Sequence, residues 1–376
     1  MATDPQAARC SAAAAAGGAG FAKVSASVVL YFLSASAVPI YNKMVFSGQF
    51  GIAKFPYPMA TAGLQLGVVA LCLALASCAG HVFAAEGRKG ESWIFGPGLR
   101  YKLRHIAPVG VLFGLKYGVT NWGLQLVPTG THLLLQSTDL VWTVLFARTL
   151  NDEHLGFFDG LAVAASCMGA ILVGFNATQT IDSPVFPLFV NLLTPLVLAL
   201  CITTLRQGTK SLFDPENELG GSVTPTEFTA LKLVLSSLVA LVLSCSLENG
   251  VAIPEKEAWW SAAQDYPPAG WCLMLAGSLF VLIFQVNITL LAGLTSATAV
   301  GIVGEAKVVP QWLLNAAFQF NLDLTPLSVL GAAMSLAGSI CYAGARSYGL
   351  QGGQCLVQVK DDKARPLLDD GGRAEV

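Results

Sequence analysis

The sequence predicts an all-α integral membrane protein with ten transmembrane helices arranged as two inverted five-helix repeats, and three observations carry that prediction. Apolar residues make up 54% of the 376 and charged residues only 12%, with a mean hydropathy of +0.62. A soluble domain carries about a quarter charged residues, so this chain lacks the supply to cover a water-facing surface. Its apolar residues gather in long runs, each close to the roughly 20 needed for a helix to cross hydrocarbon with its backbone satisfied internally. A self-similarity recurs at an offset of about 166 to 167 residues, near half the membrane region. Together these exclude a soluble enzyme, a disordered chain and a nucleic-acid binder, which would show a basic stripe.

In order, the runs cover 24–46, 58–79, 106–126, 131–150, 157–175, 184–205, 226–246, 269–291, 297–318 and 325–346. They are too long and continuous for β-barrel strands, which alternate over about ten residues. Links as short as Val127-Pro128-Thr129-Gly130 and Gly293-Leu294-Thr295-Ser296 force neighbouring helices to run antiparallel. Placing the N-terminus in the cytoplasm puts fifteen of the 21 Lys and Arg on that side, among them Arg88, Arg100, Lys102, Arg104, Arg206 and Lys210. Only Lys43, Lys54 and Lys256 fall opposite, so both termini are predicted to be cytoplasmic. Residues 1–23 form an Ala-rich lead expected to be disordered, 24–175 the first repeat, 176–346 the second, and 347–376 a disordered cytoplasmic tail. The nine cysteines show no CxxC pair and read as small hydrophobes; no metal site or cofactor is expected.

Two stretches carry the repeat. Val127-Pro128-Thr129-Gly130-Thr131 matches the position of Leu294-Thr295-Ser296-Ala297-Thr298, and Leu161-Ala162-Val163 with Met168 lines up with Leu327-Ser328-Val329 with Met334. Five helices per half is an odd number, so the second half enters the membrane upside down, the architecture of alternating-access transporters.

A charge near the bilayer centre costs roughly 2.5–3.5 kcal/mol even on a lenient scale, so it faces a cavity or a partner. Lys116 and Lys307 sit near mid-span, Asp139 and Glu305 are also deep, and Lys232 lies nearer the cytoplasmic end, where it is expected to snorkel. Helical spacing joins Lys116 to Thr120 and Tyr117 to Asn121 in one patch. His132, Gln136 and Asp139 form a stripe on the fourth span, Gly304, Lys307, Gln311 and Asn315 another on the ninth, and Gln285 and Thr289 a third on the eighth. Polar stripes on four helices most economically face one another around a wet cavity. The competing reading is interhelical hydrogen bonds that glue the bundle. Pro310 frees the carbonyl of Ala306 beside Lys307, Pro39 frees that of Ala35, and Pro195 is expected to interrupt the sixth span.

These residues resemble the drug/metabolite transporter superfamily, and within it the nucleotide-sugar transporter and triose-phosphate translocator branch. The likeness rests on Tyr41-Asn42-Lys43, Phe55-Pro56-Tyr57-Pro58, Thr61-Ala62-Gly63-Leu64-Gln65, Lys116-Tyr117 with Asn121, and Leu294-Thr295-Ser296-Ala297-Thr298 before Gly304-Glu305-Ala306-Lys307. It covers about residues 24–346. The resemblance implies an antiporter exchanging a nucleotide sugar or sugar phosphate for a nucleotide monophosphate or phosphate. It also implies an endomembrane location, Golgi or endoplasmic reticulum. Lys307 matches the family's ninth-span lysine, whereas Val308 stands at its arginine position and Gln136 at its fourth-span lysine.

On this reading Lys307 neutralises part of the substrate's phosphate, and Lys116, Tyr117, Thr120 and Asn121 supply donors. Gln136 and Gln311 orient hydroxyl or base groups, Tyr41 stacks on a ring, and Asp139 and Glu305 serve coupling or charge pairing. The expected partners are a small anionic sugar-containing substrate and the lipid bilayer, with no nucleic acid; a homodimer is compatible with this. Catalysis is not expected, because His81, His105, His132 and His154 show no metal-ligand spacing and no Ser/His/Asp arrangement is visible. Two alternatives stay open. One is an exporter of a neutral or amine metabolite, favoured by the balance of lysines and carboxylates; the other is a non-transporting membrane scaffold.

Overall fold

A computed structural model describes residues 5–48, 51, 54–82, 94–96, 98–127, 132, 135–136, 138–176, 185–248, 257–319, 325–327 and 329–342, with 5–23 described as backbone alone. Among these residues there is no strand. The helices are α1 (Pro5–Ser47), α2 (Pro58–Val82), α3 (Leu99–Leu126), α4 (Asp139–Leu150), α5 (Phe157–Asn176) and α6 (Val185–Phe213). They continue as α7 (Pro225–Leu247), α8 (Trp259–Gln264), α9 (Pro268–Leu294), α10 (Ala297–Ala306), α11 (Val308–Gln319) and α12 (Val329–Tyr342).

Five of these are long and apolar enough to cross a membrane: α1 over Val24–Phe46, α2, α6, α7 and α9. The chain is a multi-pass membrane protein, and its outer surface agrees with that. Leu33, Leu75, Phe157, Val185 and Ile340 are 60–84% exposed, which lipid tolerates and water does not. Helix boundaries depart from the predicted spans where polarity hid them. α1 begins at Pro5, ahead of the expected start at 24, because the alanines at 12–16 have the highest helix propensity whatever they pack against. α3 begins at Leu99, so Lys102 and Arg104 lie on the helix rather than in a loop. The tail 347–376 lies outside the described residues.

The core joins the two halves of the chain. α2 and α3 both pack on α7, α3 on α6, α1 on α9, and α4 on α6 and α10. Close approach depends on small residues, as between membrane helices generally. Ser237 Oγ donates to the Gly63 carbonyl at 2.7 Å and Ser236 Oγ to that of Gly110 at 2.8 Å. A Cβ at Gly114 would lie 2.6 Å from the Ser236 carbonyl oxygen. α5 and α12 meet reciprocally: the Gly169 site is filled by Ser335 and that of Gly338 by Ser166, while Ser166 Oγ donates to the Ser335 carbonyl at 3.3 Å across a spacing of 169 residues.

Proline behaves unequally. The ninth predicted span is broken at Lys307 into α10 and α11, three residues before Pro310, as a missing N–H and a freed carbonyl would have it. α1 and α6 instead run unbroken through Pro39 and Pro195, which corrects the expected interruption of the sixth span. Side-chain donors from neighbouring helices meet freed carbonyls in such bundles, and Gln311 Nε2 does so at the Ala35 carbonyl opposite Pro39, at 3.0 Å.

Candidate functional site

Lys116 lies mid-helix on α3 and is nine-tenths buried. Its ammonium stands 4.1 Å from the centre of the Tyr117 ring and 6.0 Å from that of Phe284. Those rings belong to an aromatic wall in which Tyr31 and Phe284 are 5.4 Å apart and Tyr117 meets Phe284 edge-on at 6.4 Å. A ring face attracts a cation but gives its N–H bonds no acceptor. Among the described residues the Lys116 ammonium has no hydrogen-bonded oxygen and no carboxylate within ion-pair distance. Gln285 Nε2 donates to the Tyr117 hydroxyl at 2.6 Å, which leaves the phenolic proton free to donate elsewhere.

Lys307 occupies the break between α10 and α11. Its side chain interacts electrostatically with Tyr31, Asp139, Glu305 and Lys116, yet makes no ion pair with a carboxylate among the described residues. Glu305 and Asp139 are both buried and lie close enough to interact electrostatically. Glu305 Oε1 also accepts the Leu140 N–H at 3.4 Å, while Asp139 Oδ1 and Glu305 Oε2 keep no partner among the described residues.

The remaining predicted residues divide. Thr120 is buried with an unpartnered hydroxyl, and Gln136 is buried on the same stripe as Asp139. Asn121 is held by the Pro58 carbonyl at 3.3 Å, and Gln311, whose Nε2 is taken by Ala35, keeps Oε1 unpartnered. Tyr41 is not brought to the lysines. Its hydroxyl donates to the Leu273 carbonyl at 2.5 Å and its ring packs 5.6 Å from Phe280, beside the apolar cluster of Phe55, Tyr57 and Tyr266. Asn315 carries no described side chain.

Lys232 departs from expectation. It is fully buried and does not snorkel; its ammonium donates to Thr289 Oγ1 at 2.9 Å and lies 4.5 Å from the centre of the Phe113 ring. Thr289 in turn accepts from Thr229 at 3.0 Å and donates to the Gln285 carbonyl at 2.9 Å, so this polar group is glue.

Sequence reasoning did not single out Tyr31, the buried ion pair of Lys102 with Glu227, or two carboxylates placed on helix ends. Glu153 accepts from the Ala297 N–H at 2.8 Å, the Thr298 N–H at 3.1 Å and the Thr298 hydroxyl at 2.8 Å. Glu248 accepts from the Met59 N–H at 2.7 Å, the Ala60 N–H at 2.9 Å and the Ser244 hydroxyl at 2.6 Å. Both contacts span more than a hundred residues, so no local signal announces them. A cleft of about 500 Å³ lies beside Glu153, lined by Asn151, Arg206, Lys210, Asp214 and Ser296, and not at the two lysines.

Comparison with known proteins bears out the resemblance read from the sequence. The chain is 27% identical over 331 residues to solute carrier family 35 member E4 of Homo sapiens, spanning 86% of this chain and 80% of the human protein. It is 30% identical over 92 residues, 23% of each chain, to probable purine permease 4 of Arabidopsis thaliana. A solved crystal structure covers 86% of this chain and 97% of its own with a TM-score of 0.57 at 14% identity, which shows a shared fold. No protein-family model matches the chain.

Proposed function

We propose that this multi-pass membrane protein, similar over most of its length to solute carrier family 35, is an alternating-access antiporter. It would exchange a nucleotide sugar or sugar phosphate for a nucleotide monophosphate or phosphate. The observation that carries the reading is the lysine pair of Lys116, buried on α3, and Lys307, half-buried at the helix break, neither in ion-pair contact with a carboxylate among the described residues. Desolvating an ammonium without a partner is expensive, and a visiting phosphate repays the cost by charge-assisted hydrogen bonds. Thr120, one turn from Lys116, and the neighbouring Tyr117 offer further donor groups, and Gln136 and the Gln311 oxygen, unpartnered among the described residues, suit hydroxyl or base groups.

Several features support two inverted halves of five helices each. The reciprocal contact of Ser166 and Gly169 with Ser335 and Gly338 is the pattern of a two-fold interface. The helix broken at Lys307 resembles the discontinuous helices that carry transporter sites. With both termini in the cytoplasm, the basic loops face that side, and the resemblance favours a Golgi or endoplasmic reticulum membrane.

A second reading, export of a neutral or amine metabolite with proton coupling, draws on the Asp139–Glu305 pair and on the partial likeness to a purine permease. A counterflow screen of the purified protein in proteoliposomes separates the two. Trans-stimulated uptake of a nucleotide sugar or sugar phosphate is the expected result; uptake of uncharged or amine solutes driven only by a pH gradient would replace the first reading with the second.

A further inference from the structure

The broken helix that ends at Lys307 begins at a carboxylate from the other half of the chain. α4 ends at Leu150, and the backbone turns through Asp152, which stands in the left-handed region with φ of 53°, a conformation Asp tolerates better than most residues. The Glu153 N–H then returns to the Ala147 carbonyl at 3.1 Å, and that turn aims the Glu153 side chain at the start of α10. There it takes two backbone N–H groups and one hydroxyl, all between 2.8 and 3.1 Å. A carboxylate at a helix N-terminus gains from both the unsatisfied N–H groups and the helix dipole. Ser296 already caps the same helix through the Ala299 N–H at 3.1 Å, so Glu153 adds attachment between helices rather than helix formation.

The surroundings fix both sides of this contact. Arg206 on α6 donates to the Ala292 and Gly293 carbonyls at 2.9 and 3.1 Å and interacts electrostatically with Glu153. Asn151 Nδ2 donates to the Thr203 carbonyl at 3.2 Å, tying the end of α4 to α6. At the other end of α10, Glu305 receives the Leu140 N–H at the start of α4, so α4 and α10 lie antiparallel with a carboxylate bridging each end. On the opposite side of the bundle Glu248, from α7, holds the start of α2 in the same manner.

We propose that Glu153 is a latch between the two halves, closing the bundle at the end that carries the basic loops and positioning α10 and its terminal Lys307. The role as a gate rests on the transport reading above; the latch itself does not. For access from that end, α10 must leave α4, and the three bonds of Glu153 are what must break. Glu248 does the same for the other end, and in this structure both carboxylates are engaged at once.

Spin labels at Arg148→Cys and Leu294→Cys, in a full-length background with the native cysteines replaced, report the distance between the end of α4 and the α9–α10 turn in nanodiscs. With Glu153 present a single short distance is expected. Glu153→Gln, which keeps the shape but loses the charge, should add a second, longer population, and Glu153→Ala should make it dominant. Glu248→Gln should leave this distance unchanged, because it acts at the other end. An unchanged distribution in Glu153→Gln, with helix content intact, overturns the latch; so does a uniform broadening that Glu248→Gln reproduces, which would mean general loosening. The measurement needs no substrate. A longer population in a protein that exchanges no solute would reject the transport reading and keep the latch, while unchanged distances in an active exchanger would do the reverse.

Discussion

Lys116 holds its ammonium 4.1 Å from the centre of the Tyr117 ring, its own chain neighbour, without a hydrogen-bonded oxygen among the described residues. Consecutive helical residues diverge by about 100°, so this contact needs the lysine to fold back across the helix surface instead of reaching a carboxylate. The cation is thereby parked against an aromatic wall, desolvated and available. Lys232 is the instructive contrast: it is buried as deeply, but its ammonium is bonded to Thr289.

That contrast predicts opposite behaviour for the two lysines. Thr289→Val orphans the Lys232 ammonium and should lower stability by about 1–3 kcal/mol, the cost of an unsatisfied buried donor. Adding Lys232→Met should recover most of that loss, with exchange retained in the double variant. Thermal unfolding of the single and double variants, treated as a cycle, checks it; additive losses would mean the two side chains do not act as a pair.

The buried pair of Lys102 and Glu227 obeys the same logic where the first turns of α3 and α7 meet. At the start of α7 the Thr224 Oγ1 accepts the Glu227 N–H at 3.2 Å. Glu227→Gln removes the charge that faces the buried Lys102 ammonium and should cost up to about 3–5 kcal/mol, whereas replacing both residues by Met should cost far less. The midpoint of thermal or denaturant unfolding in mixed micelles reads the difference.

Gly114→Ala places a methyl group 2.6 Å from the Ser236 carbonyl oxygen, against backbone that cannot step aside. Separation of α3 from α7 should follow, with a loss of about 1–3 kcal/mol from overpacking. Gly80→Ala is the control, since nothing lies within 4 Å of the added Cβ. Equal stability of the two variants would contradict the close packing described here.

Alkaline pH should destabilise the fold through Tyr57, which precedes α2 outside the spans. Burial first, then the carboxylates of Glu257 and Glu248, push its phenol above the ordinary range, and its hydroxyl donates to the Glu257 carbonyl at 2.7 Å. A group whose folded value is raised stabilises the protein below the unfolded value and loses that contribution as pH climbs through the folded one. Unfolding midpoints between pH 8 and 11 should therefore fall less steeply in Tyr57→Phe than in the natural chain.

Much of this architecture is legible in the sequence, for a physical reason. Apolar runs near the length of a bilayer crossing must be helical, so α2, α5, α6, α7 and α9 fall where the runs do, while α4 takes up only 139–150 of the run 131–150, and Pro310 beside a mid-span lysine marks a true break. The depth of Lys116, Asp139 and Glu305 is equally readable, because a charge has no inexpensive place to sit in hydrocarbon. The burial of Lys232 was not readable, since a position near a helix end is compatible with snorkelling until Phe113 and Thr289 are seen to enclose it. Glu153, Glu248 and the Lys102–Glu227 pair also stayed hidden. Each satisfies its charge with a partner far away in the chain, and on a span end a carboxylate looks like an ordinary solvated residue. Tyr41, an aromatic next to a polar motif, has its hydroxyl held by the Leu273 carbonyl and its ring beside Phe280, a packing that its sequence neighbourhood does not announce.

The most direct test of the central claim is anion exchange by proteoliposomes carrying the natural chain, Lys116→Gln or Lys307→Gln, with the best phosphate-bearing solute from the counterflow screen. Each substitution should reduce exchange at least about tenfold, equivalent to about 1.4 kcal/mol or more of lost binding, while reconstitution and helix content stay unchanged. Undiminished exchange in both variants would show that these ammonium groups do not hold the transported anion, and the functional account would fall with them.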